Sequence, residues 1–261
     1  MRNREYDIMR TAEDRHWWYK VLHEQVLREL AARLPARARV LDAGCGTGGM
    51  LAEIKKHAPQ WEIRGTDLAQ AAIGHCRARG LQGVRQGNVC ELPFENESFD
   101  AVLSLDVLYH ERVDDCKALQ EMSRVLRPGG WLVLNVPAFE ELRGAHDEAV
   151  CGARRYEACQ VRPLVERNNL KLQMIHYWNA WLFLPLLAWR RWSRRPHPGR
   201  KGGAVSDLAM PPGWLNGLMT LAGRTDALAC RFLGVPFGTS VFAVVGKPAR
   251  RLGNPSLVHD N

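Results

Sequence analysis

The stretch Val40-Leu41-Asp42-Ala43-Gly44-Cys45-Gly46-Thr47-Gly48-Gly49 puts an acid and a run of glycines where an apolar strand should turn into a helix. Glycines at such a turn let the backbone take positive φ and approach a ligand, and the helix that follows aims unpaired N–H groups at it. A chain with this turn is constrained to a strand–loop–helix pocket of the nucleotide-binding kind. Gly44, Gly46 and Gly49 also satisfy G-x-G-x-x-G, so the turn fits a nicotinamide cofactor as well as another adenosine-bearing one. Asp42 separates the two. A carboxylate at the end of the first strand is a poor neighbour for a pyrophosphate and suits a cationic group such as the amino group of a methionine moiety.

Further signals follow in order. Trp61 to Asp67 reads as a second strand ending in an acid about twenty residues past the glycines, the spacing at which a carboxylate takes both ribose hydroxyls. Gly87 to Phe94 offers a polar and an apolar side chain, Asn88 and Val89, to surround adenine. Ser98 to His110 reads as a buried strand running into the rim of a site, and Leu126-Arg127-Pro128-Gly129-Gly130 precedes the apolar strand Trp131 to Val136.

With these elements the chain resembles the class I S-adenosylmethionine-dependent methyltransferases, in the group of type 11 and type 12 methyltransferase domains, over roughly residues 36 to 137. The resemblance implies S-adenosylmethionine as cofactor, with Asp42, Gly44 and Gly46 on its methionine side, Asp67 and Leu68 at the ribose, and Asn88 and Val89 at the adenine. Leu105, at the end of the fourth strand, joins this set. Many such enzymes carry Asp at position 88; Asn still accepts through its carbonyl oxygen. The implied fold is α/β, a Rossmann-like, doubly wound, mostly parallel seven-stranded sheet with an antiparallel last strand. A helical lid over residues 1–35 precedes the methyltransferase domain, 36–177 and 239–248, and a helical insertion over 178–238 interrupts it before the last strand.

The lead, helical from about Ala12 to Leu34, contains Glu13-Asp14-Arg15-His16-Trp17-Trp18-Tyr19. It is similar to an acidic-x-x-His-Trp-Trp-Phe segment found in one subgroup of these enzymes, where the aromatics either close over cofactor and substrate or dock the helix on the sheet. The same subgroup pairs an Asp with the Tyr of an Arg-Arg-Tyr triplet nine residues later, as Asp147 and Tyr156 are here. His146, Asp147, Arg155 and Tyr156 are therefore expected to face the acceptor. His110, His146 and Tyr156 are the catalytic candidates, with either imidazole able to deprotonate a hydroxyl acceptor and His110 equally suited to packing.

The last strand, Ser240 to Gly246, is expected to pair antiparallel with a sixth strand near Lys171 to Tyr177, leaving about sixty residues between them. A connection of that length is usually functional or disordered. It holds Trp178, Trp181, Trp189, Trp192 and Trp214, with Pro185 expected to interrupt any helix, and Arg190, Arg191, Arg194, Arg195, Arg200 and Lys201 follow the apolar run. Residues 178–214 read as an interfacial segment for an anionic membrane surface or a lipid-linked acceptor; a packed flap shaping an apolar pocket or a dimer contact is the alternative. Nucleic acid is disfavoured, because the aromatics form one block and do not alternate with the basic residues.

The charged beginning, the lack of a spanning apolar run, and cysteines at 45, 76, 90, 116, 151, 159 and 230 without a C-x-x-C pair point to a cytosolic protein, peripheral at a membrane through 178–214, with no metal site. The expected activity is in-line methyl transfer to a small-molecule, lipid-linked or glycan-linked acceptor. A nicotinamide-dependent reductase and a non-catalytic cofactor-binding or membrane-scaffold protein are the competing classes.

Overall fold

The structure, a computed structural model, describes residues 3–193 and 210–250. Of the basic cluster, Arg194, Arg195, Arg200 and Lys201 lie outside the described residues.

Among the described residues the chain runs α1 (Asn3–Ala12), α2 (Trp17–Ala31), β1 (Arg39–Ala43), α3 (Gly49–His57), β2 (Glu62–Asp67), α4 (Gln70–Ala78), β3 (Val84–Gln86), β4 (Phe99–Leu105), α5 (Asp115–Val125), β5 (Leu126–Pro137), α6 (Ala145–Ala149), α7 (Ala158–Glu166), β6 (Lys171–Trp178), α8 (Ala180–Ser193), α9 (Gly213–Leu233) and β7 (Ser240–Gly246). The strands form one sheet of order β3-β2-β1-β4-β5-β7-β6. β1 through β5 are parallel, and β7 inserts antiparallel between β5 and β6, Pro137 opposite Ser240 and Trp178 opposite Ser240 on the other side. This is the expected doubly wound α/β sheet with its antiparallel last strand.

Central strands buried on both faces read as continuous apolar runs, and both faces are covered. Leu119 and Met122 of α5 and Val161 and Val165 of α7 pack on one side with Leu41, Val102 and Leu134. Leu22, Val26 and Leu30 of α2, Ile54 of α3 and Ala227 of α9 pack on the other with Val40, Leu103 and Phe242. α2 is thus a core helix as well as a cover.

Two expectations need correction. The N-terminal lead is two helices: the chain breaks at Glu13–His16, where the Glu13 side chain is drawn into the glycine loop and the His16 ring accepts from the Trp18 amide to start α2. Pro185 does not interrupt α8, which runs through it. Proline removes one backbone donor there, and the helix start is held independently: the Trp181 amide donates to Asp226 at 3.1 Å and the Leu182 amide to the Asn179 carbonyl at 3.2 Å.

Candidate active site

In open α/β sheets ligands lie beyond the carboxyl ends of the strands. There the ends of β1, β2 and β4 open into a cavity of about 800 Å³, closed over by residues of α1, α2 and α8. Its wall includes every cofactor candidate, Asp42, Gly44, Gly46, Asp67, Leu68, Asn88, Val89 and Leu105, together with His110 and His146.

The glycine loop is fixed at both ends. Gly44 and Cys45 amides donate to the Thr66 carbonyl at 2.8 and 2.9 Å, and the Gly46 amide donates to Asp67 Oδ2 at 3.0 Å. Gly44 has φ +93°, and a Cβ there would stand 2.3 Å from Val107 Cγ2, so only glycine fits. Asp67 Oδ1 also accepts from the Ala69 amide at 2.9 Å and from the Tyr6 hydroxyl at 3.2 Å. Asn88 Oδ1 caps the Cys90 amide at 2.9 Å, which leaves it one lone pair for a ligand.

Glu13 gives the loop its electrostatic character. Its Oε2 accepts from the Thr47 hydroxyl, from the Gly49 amide at 3.0 Å and from Arg79 at 3.0 Å. Gly49 is the first residue of α3, so the anion position at that helix N-terminus is filled by the protein's own carboxylate. Burial pushes the Glu13 carboxyl up to about 7. Asp42 is buried with Oδ1 lacking a hydrogen-bond partner, and burial, then the Glu13 and Asp67 charges, raise it to about 8. An unpaired buried carboxylate on a cavity wall is relieved by a cationic ligand group. The site therefore fits a cofactor that carries an amino group and lacks a pyrophosphate.

Further along the wall stands Asp106, in the left-handed region at φ +54° just past β4. Asn135 Nδ2 donates to both of its oxygens at 3.0 Å, and Trp178 Nε1 donates to Asn135 Oδ1 at 2.9 Å, so three strand ends hold the carboxylate in place. Burial raises Asp106 to about 7. Asn179, at φ +58°, is fully buried and lines the cavity with neither amide atom partnered. Asp147 and Arg155 also line it, paired with each other in bidentate fashion at 3.0 and 3.1 Å. Burial works to raise Asp147, but the guanidinium more than offsets it and holds the carboxyl below its usual range. Trp18 stacks on Trp178 and Trp17 meets Trp181 edge-on, so Trp17 and Trp18 both dock α2 and line the cavity.

Of the catalytic candidates, His110 and His146 line the cavity, each with an unpartnered Nδ1. His110 stacks on Tyr109, and burial lowers it to about 4, which leaves a neutral and weak base. Tyr156 is not part of the wall: its ring is buried and its hydroxyl stands 3.0 Å from the Leu108 carbonyl and 2.9 Å from Asp115. Tyr156 thus points away from the cavity: its amide donates to the Pro137 carbonyl at 2.9 Å in a parallel bridge with Ala138, extended backbone that sends the Arg155 and Tyr156 side chains to opposite sides. Tyr6, Asp106 and Asn179 are site residues that sequence reasoning assigned no role.

Residues 41–134 match the family model of a methyltransferase domain. Among curated relatives, the chain is 35% identical over 130 residues to a Mycolicibacterium smegmatis protein assigned to the S-adenosylmethionine-dependent methyltransferases, covering 48% of this chain and 47% of that one. It is 33% identical over 163 residues to an O-methyltransferase of Aspergillus sclerotiorum, covering 58% and 59%. The chain spans about half the length of these relatives. Among solved structures, the geranyl diphosphate C-methyltransferase of Streptomyces coelicolor, in complex with S-adenosyl-L-homocysteine, superposes with a TM-score of 0.58 at 15% identity, covering 88% of this chain and 76% of that one. That likeness is one of fold. Sheet order, glycine loop and family match agree, and the chain carries a class I S-adenosylmethionine-dependent methyltransferase domain.

Proposed function

We propose that this chain binds S-adenosylmethionine along the glycine loop and catalyses methyl transfer to a small-molecule or lipid-linked acceptor in the chamber under α8. The observation that carries this reading is the convergence of Glu13, Asp42 and Asp67 on the loop, with the N-terminus of α3 already filled by Glu13. A dinucleotide would bring its pyrophosphate to a helix N-terminus that Glu13 already fills, beside Asp67, which speaks against a reductase.

When bound, the cofactor supplies an electrophilic methyl group for in-line displacement. Asp42 Oδ1 would hold the amino group, Asp67 Oδ2, with one lone pair left, would accept from a ribose hydroxyl, and Gly44 leaves room for close approach. Leu182, Leu186 and Trp189 of α8 cover the chamber and keep water out, while Asp106 and Asn179 offer hydrogen bonds to a polar acceptor group. Positioning alone supplies much of the rate in such a transfer. For a hydroxyl acceptor, Asp106 is the best-matched proton acceptor, since a base acts most effectively with a pKa near the working pH.

Calorimetry with S-adenosylhomocysteine and, separately, with nicotinamide dinucleotides tests the assignment. Binding of the first and none of the second is expected. Asp67→Ala removes a charged acceptor, so S-adenosylhomocysteine should bind about 1.5–3 kcal/mol more weakly. Undiminished affinity in the folded variant would misplace the ribose site. Conversion of S-adenosylmethionine to S-adenosylhomocysteine with an acceptor present separates an enzyme from a binding protein.

A further inference from the structure

α9 is amphipathic in the wrong sense for a helix on a globular surface. Its inward face, Asn216, Thr220, Gly223, Ala227 and Cys230, is small or polar and packs on α2, with Asn216 Oδ1 accepting from the Trp17 amide at 2.9 Å. A Cβ on Gly223 would stand 3.0 Å from Val21 Cγ2, a measure of how closely the two helices approach. Its outward face carries Trp214, Leu218, Leu221, Leu228 and Phe232, spaced 4, 3, 7 and 4 residues apart and between 42% and 77% exposed. These side chains form one stripe along a helix about 30 Å long. Leu184 and Trp192 of α8 are exposed as well, while Leu182 and Leu186 of the same helix line the active-site cavity. No described helix is long and apolar enough to cross a membrane.

We propose that the outward face of α9, together with the exposed side of α8, docks on an anionic lipid bilayer. Large apolar side chains reach the acyl boundary, and Trp192 and Trp214 suit the headgroup level. The border of the stripe decides between occupants. Lys20, Glu24 and Arg28 follow one another at four-residue steps on α2, Arg224 of α9 pairs with Glu24, Asp226 of α9 accepts from the Trp181 amide on the flank toward α8, and Arg191 is exposed at the end of α8, four cations against two acids. The border is therefore net cationic, which complements anionic headgroups. A second copy docked by a two-fold axis would set the same cationic border against itself. Docking in this orientation turns α8 toward the bilayer, with the acceptor chamber directly behind it. The surface is independent of the methyl-transfer reading, although a lipid-borne acceptor would join the two.

The test is co-sedimentation of the full chain with phosphatidylcholine vesicles, alone or containing phosphatidylglycerol, at low and high salt. Binding to the anionic vesicles that weakens with salt is expected. The double substitution Leu218→Glu and Leu221→Glu should lower partitioning at least about tenfold while S-adenosylhomocysteine binding, which reports folding, is retained. Lys20→Gln with Arg28→Gln should weaken binding to anionic vesicles about tenfold or more and leave binding to neutral ones unchanged. Absence of binding to anionic vesicles, or binding indifferent to both pairs of substitutions, would overturn the proposal. So would a dimer in sedimentation velocity that the glutamates dissociate while vesicle binding stays absent. Cofactor binding is read separately, so failure of the docking surface leaves the methyltransferase assignment standing.

Discussion

Tyr156 follows Arg154 and Arg155, and the three consecutive side chains divide between two acids. Arg154 pairs with Asp115 at 3.1 Å, Arg155 clamps Asp147 on the cavity wall, and Tyr156 turns inward to the Leu108 carbonyl and Asp115. Leu108 lies two residues past Asp106, so the phenol braces the loop that carries the proposed proton acceptor. Tyr156→Phe should lower stability by about 1–2 kcal/mol, the net worth of a buried hydrogen bond, and leave S-adenosylhomocysteine affinity unchanged. Denaturant unfolding and calorimetry check both. Turnover reduced a hundredfold in a fully folded variant would return Tyr156 to the catalytic group. Glu13 is the converse case, a residue outside the glycine-loop motif that completes the loop through Thr47, Gly49 and Arg79.

α8 and α9 are the described helices of the long connection before β7, and α8 shows what a proline inside a helix leaves behind. Pro185 is exposed, and its ring takes one donor out of the ladder. Pro185→Ala restores that hydrogen bond without vacating a packed site, so the melting temperature should rise, by an increment worth up to about 3 kcal/mol. A fall would mean that the proline ring is needed to seat Leu182 and Leu186 over the chamber. Element order, glycine loop and β7 were legible in the sequence because buried strands, turn glycines and strand-ending acids leave local patterns. Asp106 had the same signature as Asp67, an acid at the end of a strand, and sequence reasoning gave it no role because it fell inside an apolar run ending at His110. The break between α1 and α2 was not legible, since it depends on Glu13 reaching residues 34 to 66 positions away. Spacing in α8, with 182, 186, 189 and 190 on one face, carried the flap; the proline masked it.

At the scale of the whole molecule, buried titratable groups of opposite kinds give stability a predictable dependence on pH. His16, His23, His110 and His176 are each lowered by burial from 6.5 to about 4, so between those values the unfolded chain binds more protons and stability rises with pH. Glu13 and Asp106 are raised to about 7 and Asp42 to about 8, so from the usual carboxylate range up to those values the folded chain binds more protons and stability falls with pH. Below 6.5 the two sets oppose each other. Above it the histidine contribution is spent and the acids act alone, and the ligand-free protein should lose stability most clearly between about pH 6.5 and 8. A ligand that brings a cationic group to Asp42 favours its carboxylate, so S-adenosylmethionine should stabilise the protein more at pH 8 than at pH 6. Thermal melts across pH 5 to 9, with and without the ligand, measure both slopes. A ligand-free melting temperature that keeps climbing through pH 8, or a ligand increment indifferent to pH, would mean that Asp42 and its neighbours are already ionised in the empty site and do not select the cation.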